Sequence, residues 1–252
     1  MPAVTAPAED PLFGAPIRAG GWLVRLALPD DMAALLDLRA RAFRAGAEDR
    51  DSHDADSLHL WVGPEGGAPR ATLRLRRHAA GPALLAGYAA RHYDLRALAA
   101  AGGESLELGR LCTDPRPGDA DPLRLLWAGV ARLVLATGAA RLVGCTSFHT
   151  TDAAGLDPAW ALLAARHLGP EATRPGRKAP EIHSFDRLTA DPAPDAAALL
   201  PPLLRAYLSL GGWVSDHAVI DRDLGTCHVF TCVEVAALPP ARKRVLVQMA
   251  TG

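Results

Sequence analysis

Residues 106–148 constrain this chain more than any other stretch. They read LELGRLCTDPRPGDADPLRLLWAGVARLVLATGAARLVGCTSF: an apolar run, a Pro/Gly/Asp loop, an amphipathic stretch and a second apolar run. In the amphipathic stretch Leu123, Leu126, Trp127, Val130 and Val134 fall at i, i+3, i+4, i+7 and i+11, which predicts a helix with Arg124 and Arg132 off its apolar face. Asp121 is placed to cap that helix, Pro122 suits its first turn and Gly138 its end. The flanking runs, 106–112 and 140–148, are short and apolar, as central parallel strands covered on both faces are. A unit of this kind opens a crevice at the carboxyl ends of its strands, where ligands bind. Glu107 and Arg110 place two charges inside the first strand, where charge is costly unless it is paired or used.

The rest of the chain reads in order around that unit. Residues 1–20 are rich in Ala and Pro, show no period and are expected to form a disordered tail. A strand is expected over 22–28. Pro29, Asp30 and Asp31 then open a helix to about Ala45, with Met32, Leu35, Leu36 and Phe43 inward. The acidic segment 46–56, GAEDRDSHDAD, cannot supply core, so it is either solvated or part of a site. Residues 58–62 and 71–78 suit a hairpin whose second strand alternates Leu73 and Leu75 with a polar face of Arg74 and Arg76. A short helix is expected near Tyr93 to Leu98, another over 160–167 and a third over 203–210, before strands at 213–220 and 228–235. The sum is a single α/β (α+β) domain over 21–252, with a mixed central sheet flanked by helices, a core at 21–150 and a C-terminal elaboration over 151–240.

Composition narrows the function. At 252 residues the chain can bury a substantial core, and its 49% hydrophobic and 22% charged residues match a soluble globular protein. A formal net charge of −1 argues against a nucleic-acid-binding protein. No run reaches the roughly 18–20 apolar residues that span a bilayer, and the start lacks a signal-peptide pattern, so the expected compartment is the cytoplasm. Cys112, Cys145, Cys227 and Cys232 form no CxxC pair and sit in strand-like contexts; buried reduced thiols are expected, and no metal site.

A strand, a helix, a hairpin and then a strand, loop, helix and strand is the element order of the GCN5-related N-acyltransferase fold. The segments LELGRLCTDP (106–115), LRLLWAGVARLV (123–134), GCTSFHTTD (144–152) and LPPLLRAYLSLGGWVSDHAVIDRDLGTCHVF (200–230) resemble the ornithine-lipid N-acyltransferases. The earlier part is also similar to the acyl-homoserine-lactone synthases, through Arg39 and Phe43, the acidic Asp51, Asp54 and Asp56, Arg74, and Glu107 with Arg110. The first resemblance implies transfer of a 3-hydroxyacyl chain from acyl carrier protein to the α-amino group of L-ornithine, giving lyso-ornithine lipid. It implies no bound cofactor, the carrier's phosphopantetheine as donor arm, and peripheral contact with the cytoplasmic face of the inner membrane. Rival readings are the same chemistry on glutamine or lysine, acyl-homoserine-lactone synthesis, and a non-catalytic acyl-carrier or lipid-binding module.

The chemistry then sorts the residues. Glu107 is the first candidate for the base that deprotonates the amine, alone or through water, with Arg110 beside it as a catalytic candidate and Asp51, Asp54 and Asp56 as alternatives for holding ammonium groups. A structural ion pair of Glu107 with Arg110 or Arg74 is the competing reading. Arg39, Arg74 and Arg110 either clamp the substrate carboxylate or brace the acidic loop. His149 is a candidate proton shuttle. Asp216, Asp221 and Asp223 either bind the side-chain amine of ornithine or satisfy turns. On the donor side, backbone N–H groups near Cys112 would meet the oxyanion. The loop PRPGDAD carries one glycine and two aspartates, a poor cradle for the diphosphate of CoA, and Arg116, Arg124 and Arg132 are the candidates for an acidic carrier surface.

Overall fold

The computed structural model describes residues 9–114, 116, 117, 119, 121–186, 188, 193 and 195–251. In chain order its elements are β1 (Ile17–Ala19), β2 (Trp22–Leu26), α1 (Met32–Phe43), β3 (Leu58–Pro64), β4 (Ala71–His78), β5 (Tyr93–Asp94), α2 (Arg96–Ala100), β6 (Ser105–Thr113) and α3 (Pro122–Thr137). There follow β7 (Arg141–Phe148), α4 (Asp157–Arg166), β8 (Gly176–Arg177), β9 (Ile182–Ser184), α5 (Pro202–Ser209), β10 (Trp213–Val214), β11 (His217–Asp221), β12 (Thr226–Glu234) and α6 (Pro240–Thr251). Strands and helices are interspersed along the chain, as the α/β (α+β) reading expects.

The chain groups into two compact units, the first 1–76, 108–138 and 240–252, the second 77–107 and 139–239. In the first, β1 to β4 form an antiparallel meander, with Leu60 opposite both Leu26 and Leu73. The predicted helix is α3. Asp121 accepts hydrogen bonds from the amides of Leu123 (3.1 Å) and Arg124 (3.2 Å), and Gly138 ends the helix at φ 68°. Its buried face is broader than the expected stripe: Leu125, Leu126, Gly129, Val130 and Leu133 are buried, while Leu123, Trp127 and Val134 are half-buried. The reason is that α3 is covered from two sides, by β2 and β3 and by α6. A Cβ on Gly129 would come within 2.9 Å of Leu60, so the helix approaches the sheet closely there.

Two expectations are corrected in this unit, and one helix is added to it. Residues 10–20 are not a tail: β1 pairs with β2, and Phe13 and Ile17 are 3% and 5% exposed. Phe13 lies under Arg132, which donates to the carbonyls of Ala15 (2.6 Å) and Ala250 (2.7 Å). Residues 1–8 lie outside the described residues. Arg74 is buried rather than on an exposed polar face. The basic, weakly apolar 240–251 forms a helix, because α3 offers it a surface.

In the second unit β7 pairs antiparallel with β12, which pairs with β11, and β11 with β9. The expectation of a parallel central strand at 140–148 therefore fails on the β12 side. Phe148, Trp160 and Phe185 centre one core, with Trp160 4.5 Å from Phe148 and 5.4 Å from Phe185 between ring centroids. Tyr93, Trp213, Phe230 and Leu98 centre another. All four cysteines are free thiols; three are buried and Cys145 is half-buried. Among the described residues no helix is long and apolar enough to cross a membrane.

The cap on α3 gives a direct stability test. Asp121→Ala should lower unfolding stability by about 1 kcal/mol in urea melts, and Asp121→Ser should restore most of it.

Candidate active site

In the first unit the acidic segment is the site's organising element, and it is buried rather than solvated. Arg39 lies one helical turn after Leu35 on the inner face of α1 and is fully buried. Its Nε donates to Asp49 Oδ2 (2.9 Å), its Nη1 to Asp54 Oδ1 (2.7 Å) and its Nη2 to the Asp49 carbonyl (2.6 Å). Arg74 of β4 donates from Nη1 to Asp51 Oδ1 (2.5 Å) and Asp54 Oδ1 (2.9 Å). Arg110 of β6 donates from Nε to Asp49 Oδ2 (2.9 Å) and from Nη2 to Asp51 Oδ2 (3.3 Å), with its guanidinium 5.8 Å from the Phe43 ring. Three arginines and three aspartates thus interlock, each aspartate shared between two arginines.

The loop's local geometry supports this. Asp54 Oδ2 accepts the amide of Asp51 (2.9 Å), and Asp51 Oδ1 accepts the amide of His53 (2.8 Å), folding the loop into turns that aim its carboxylates together. Burial alone would raise the Asp54 carboxyl, but the Arg39 guanidinium, the Asp51 amide and Arg74 outweigh it and hold the carboxyl well below its ordinary range. Asp51 is also lowered, with Arg74 outweighing burial. Arg110 pays for its position with a left-handed backbone, φ 52°, inside a strand. Such a conformation costs a non-glycine residue about 1–2 kcal/mol and here re-aims the side chain, as a bulge does.

In the second unit Glu107 of β6 is 5% exposed and has three donors. His78 Nε2 lies 2.9 Å from Oε2, the Tyr88 amide donates to Oε2 (3.1 Å) and the Ala89 amide to Oε1 (2.6 Å). Burial pushes this carboxyl up, yet His78 and the two amides prevail and keep it below the usual carboxylate range. The site also needs Gly87, where a Cβ would sit 2.4 Å from Glu107 Oε2. The partners of Glu107 are therefore His78 and a turn, where an ion pair with Arg110 or Arg74 was the competing expectation.

The remaining candidates fall as follows. Arg39, Arg74, Arg110, Asp51 and Asp54 come together in one network, whereas Asp56 lies at its exposed edge, 3.4 Å from Arg76. Cys112 is buried, its thiol pushed up to about 12 chiefly by burial. Arg116, in the loop before α3, and Arg124, in its first turn, are exposed, and Asp119 accepts the Arg116 amide (2.8 Å). Pro115, Gly118 and Ala120 of that loop lie outside the described residues. His149 is exposed just after β7. Asp216 pairs with His217 Nδ1 (2.7 Å), Asp221 accepts the amides of Asp223 (3.0 Å) and Leu224 (3.1 Å), and Asp223 is exposed. Turn formation is what Asp221 does in this geometry.

Sequence reasoning missed Asp49, His78, His217, the half-buried His92 and the buried His228. Asp49 stood in the acidic run; its buried place between Arg39 and Arg110 could not be read from spacing. The histidines lie at strand ends or after a short turn, where no period marks them.

The network yields a mutation and a pH test. Arg39→Ala strands two buried carboxylates and should cost about 3–5 kcal/mol, with Arg39→Lys recovering only part because an ammonium cannot bridge both. Asp51 and Asp54 are lowered from an ordinary 3.8, so their stabilisation is complete above that pH and is lost as pH falls below it. Urea midpoints should hold down to about pH 4 and fall steeply beneath, and Asp54→Asn should flatten that fall.

Comparisons with known proteins agree on the fold. Residues 37–128 match the family model of the acetyltransferase (GNAT) domain. The chain is 35% identical over 167 residues to the L-ornithine N(alpha)-acyltransferase of Rhodobacter capsulatus, an alignment covering 66% of this chain and 64% of that relative. It is 31% identical over 247 residues to the enzyme of the same name from Brucella abortus, covering 86% of each. Among solved structures, FeeM, an N-acyl amino acid synthase from uncultured soil microbes, has the same fold, with a TM-score of 0.50, 12% identity and coverage of 85% of this chain and 92% of that one. On the extent of the Brucella match, the chain belongs to the L-ornithine N(alpha)-acyltransferase family.

Proposed function

We propose that this chain transfers a 3-hydroxyacyl group from acyl carrier protein to the α-amino group of L-ornithine, giving lyso-ornithine lipid. The observation that carries the reading is the family relationship, which runs through 86% of the Brucella relative. In the reaction the neutral amine attacks the thioester carbonyl, a C–N bond forms and the C–S bond breaks. The phosphopantetheine thiolate leaves and takes up the proton that the amine gives up.

An α-amine is mostly protonated at neutral pH, so the enzyme must receive a proton before attack. The acid–base group in this reading is the Glu107 and His78 pair. Glu107 alone is a weak base, because three donors already hold its negative charge. Its charge instead orients the buried imidazole of His78, which relays the proton. Arg39, Arg74 and Arg110 act as braces for residues 49–54, since the guanidinium of each is bonded to aspartates.

A carrier protein suits the donor side better than free CoA. The first-turn amides of α3 already hold the Asp121 carboxylate, and Asp119 adds a second negative group 3.8 Å from Arg70. Exposed Arg116 and Arg124 match the acidic surface of a carrier.

Purified protein given L-ornithine and 3-hydroxyacyl carrier protein should form acyl-ornithine by mass spectrometry, with slower turnover from the 3-hydroxyacyl-CoA and from glutamine or lysine. No acylated ornithine from either donor would sink the reading. Glu107→Gln should lower kcat by about 10²–10⁴-fold with little change in KM for ornithine, the range for losing general acid–base catalysis. Arg116→Ala with Arg124→Ala should raise KM for the carrier and weaken its dependence on salt.

A further inference from the structure

In the second unit His92, Asp221 and His228 stand together, and the reaction proposed above uses none of them. One ligand atom from each lies within 4.8 Å of the other two. Strand register accounts for two of the three. Asp221 of β11 faces Thr226 of β12, so His228, two residues further along β12, is its diagonal neighbour on the same face of the hairpin. His92 follows the short turn at Ala89–Arg91, and its ring meets that of His228 edge to face, with centroids 5.0 Å apart.

Each donor is held in a state suited to a ligand. His228 is 1% exposed; the Tyr93 hydroxyl lies 3.2 Å from its Nδ1 and donates to its carbonyl (2.8 Å). Its Nε2 is buried with no hydrogen-bond partner. His59 Nδ1 and His217 Nε2 are also buried without a partner, but only His228 has a second imidazole and a carboxylate beside it. Asp221 is 8% exposed, and one of its carboxylate oxygens is fixed by the Asp223 and Leu224 amides, which orients the group and uses only that oxygen.

We propose that His92, Asp221 and His228 form a site for a divalent first-row transition metal, zinc being the best fit. Two imidazole nitrogens and one carboxylate suit zinc, cobalt or iron rather than magnesium or calcium, which take all-oxygen shells. Zinc–nitrogen bonds of about 2.0–2.1 Å put tetrahedral ligands about 3.4 Å apart, so the three groups close by an ångström or so on binding. Half-buried His92, on a short turn, is the group free to move. A fourth position stays open for water. The metal would tie the β11 and β12 hairpin to the turn whose Tyr88 and Ala89 amides hold Glu107. The site stands on its own geometry and does not depend on the acyl-transfer reading.

The test uses the full chain, stripped with a chelator and titrated with zinc by calorimetry and with cobalt by absorption spectroscopy. One equivalent of zinc should bind saturably, cobalt should give the visible bands of a low-coordinate site, and zinc should raise the melting temperature. Asp221→Asn keeps an oxygen for the turn amides, and His92→Gln changes a half-buried group, so both should fold. Each should weaken zinc binding by at least about tenfold, since losing a ligand costs no less than losing a group that orients one. His167→Gln, a half-buried histidine at the end of α4, should leave binding unchanged. Zinc that fails to saturate at one equivalent overturns the proposal, as does binding that survives both substitutions. Saturable heat from ornithine that those variants abolish, with none from zinc, overturns it too and makes the cluster an amine site.

Discussion

The buried ion network of Arg39, Arg74 and Arg110 with Asp49, Asp51 and Asp54 is the constraint on which the first unit depends. Removing charges from water is expensive, and an ion pair in the interior recovers that cost only when its geometry is good and its remaining donors and acceptors are filled. Here both conditions hold. Every aspartate meets at least two arginines, and two of them also accept backbone amides, so the segment 49–54 has one well-defined conformation despite containing no apolar residue. A hydrophobic core of the same volume would stabilise as well, but it would not fix the direction of a strand residue such as Arg110. The positive φ of that residue shows what the network overrides.

Glu107 is governed by the same physics at smaller scale. A buried carboxylate must find donors, and this one finds an imidazole and the two amides of a turn that follows a glycine. The consequence for chemistry runs against the simplest expectation. A base needs a high proton affinity, whereas these donors stabilise the anion and lower it. That is why the imidazole of His78, with Glu107 as its fixed counter-charge, fits the acid–base task better than the carboxylate by itself.

Much of the architecture was written locally. The α3 helix, its Asp121 cap, its Pro122 start and its Gly138 end follow from periodicity and from the chemistry of helix termini, and the hairpin of β3 and β4 from alternation between turn residues. Features set by distant partners were not written that way. The N-terminal strand β1 exists because β2 offers an edge, and Phe13 is buried because Arg132 and the chain around it make a place for it. The helix α6 has too little apolar character to announce itself, and it forms on the surface that α3 leaves uncovered.

The sequence by itself determined the class of fold, the family resemblance and the set of residue types that could do chemistry: the acidic run, the arginines around it, and a glutamate and an arginine inside one strand. Only the tertiary structure decided how those groups are spent. It buried Arg74 where alternation placed it outward, added Asp49 to the network, gave Glu107 to His78, and set His92, Asp221 and His228 side by side from segments more than a hundred residues apart. Local pattern fixes which face a residue takes along its own element. Which charge meets which is a property of strand register and of elements packing together, and those follow from burial summed over the whole fold.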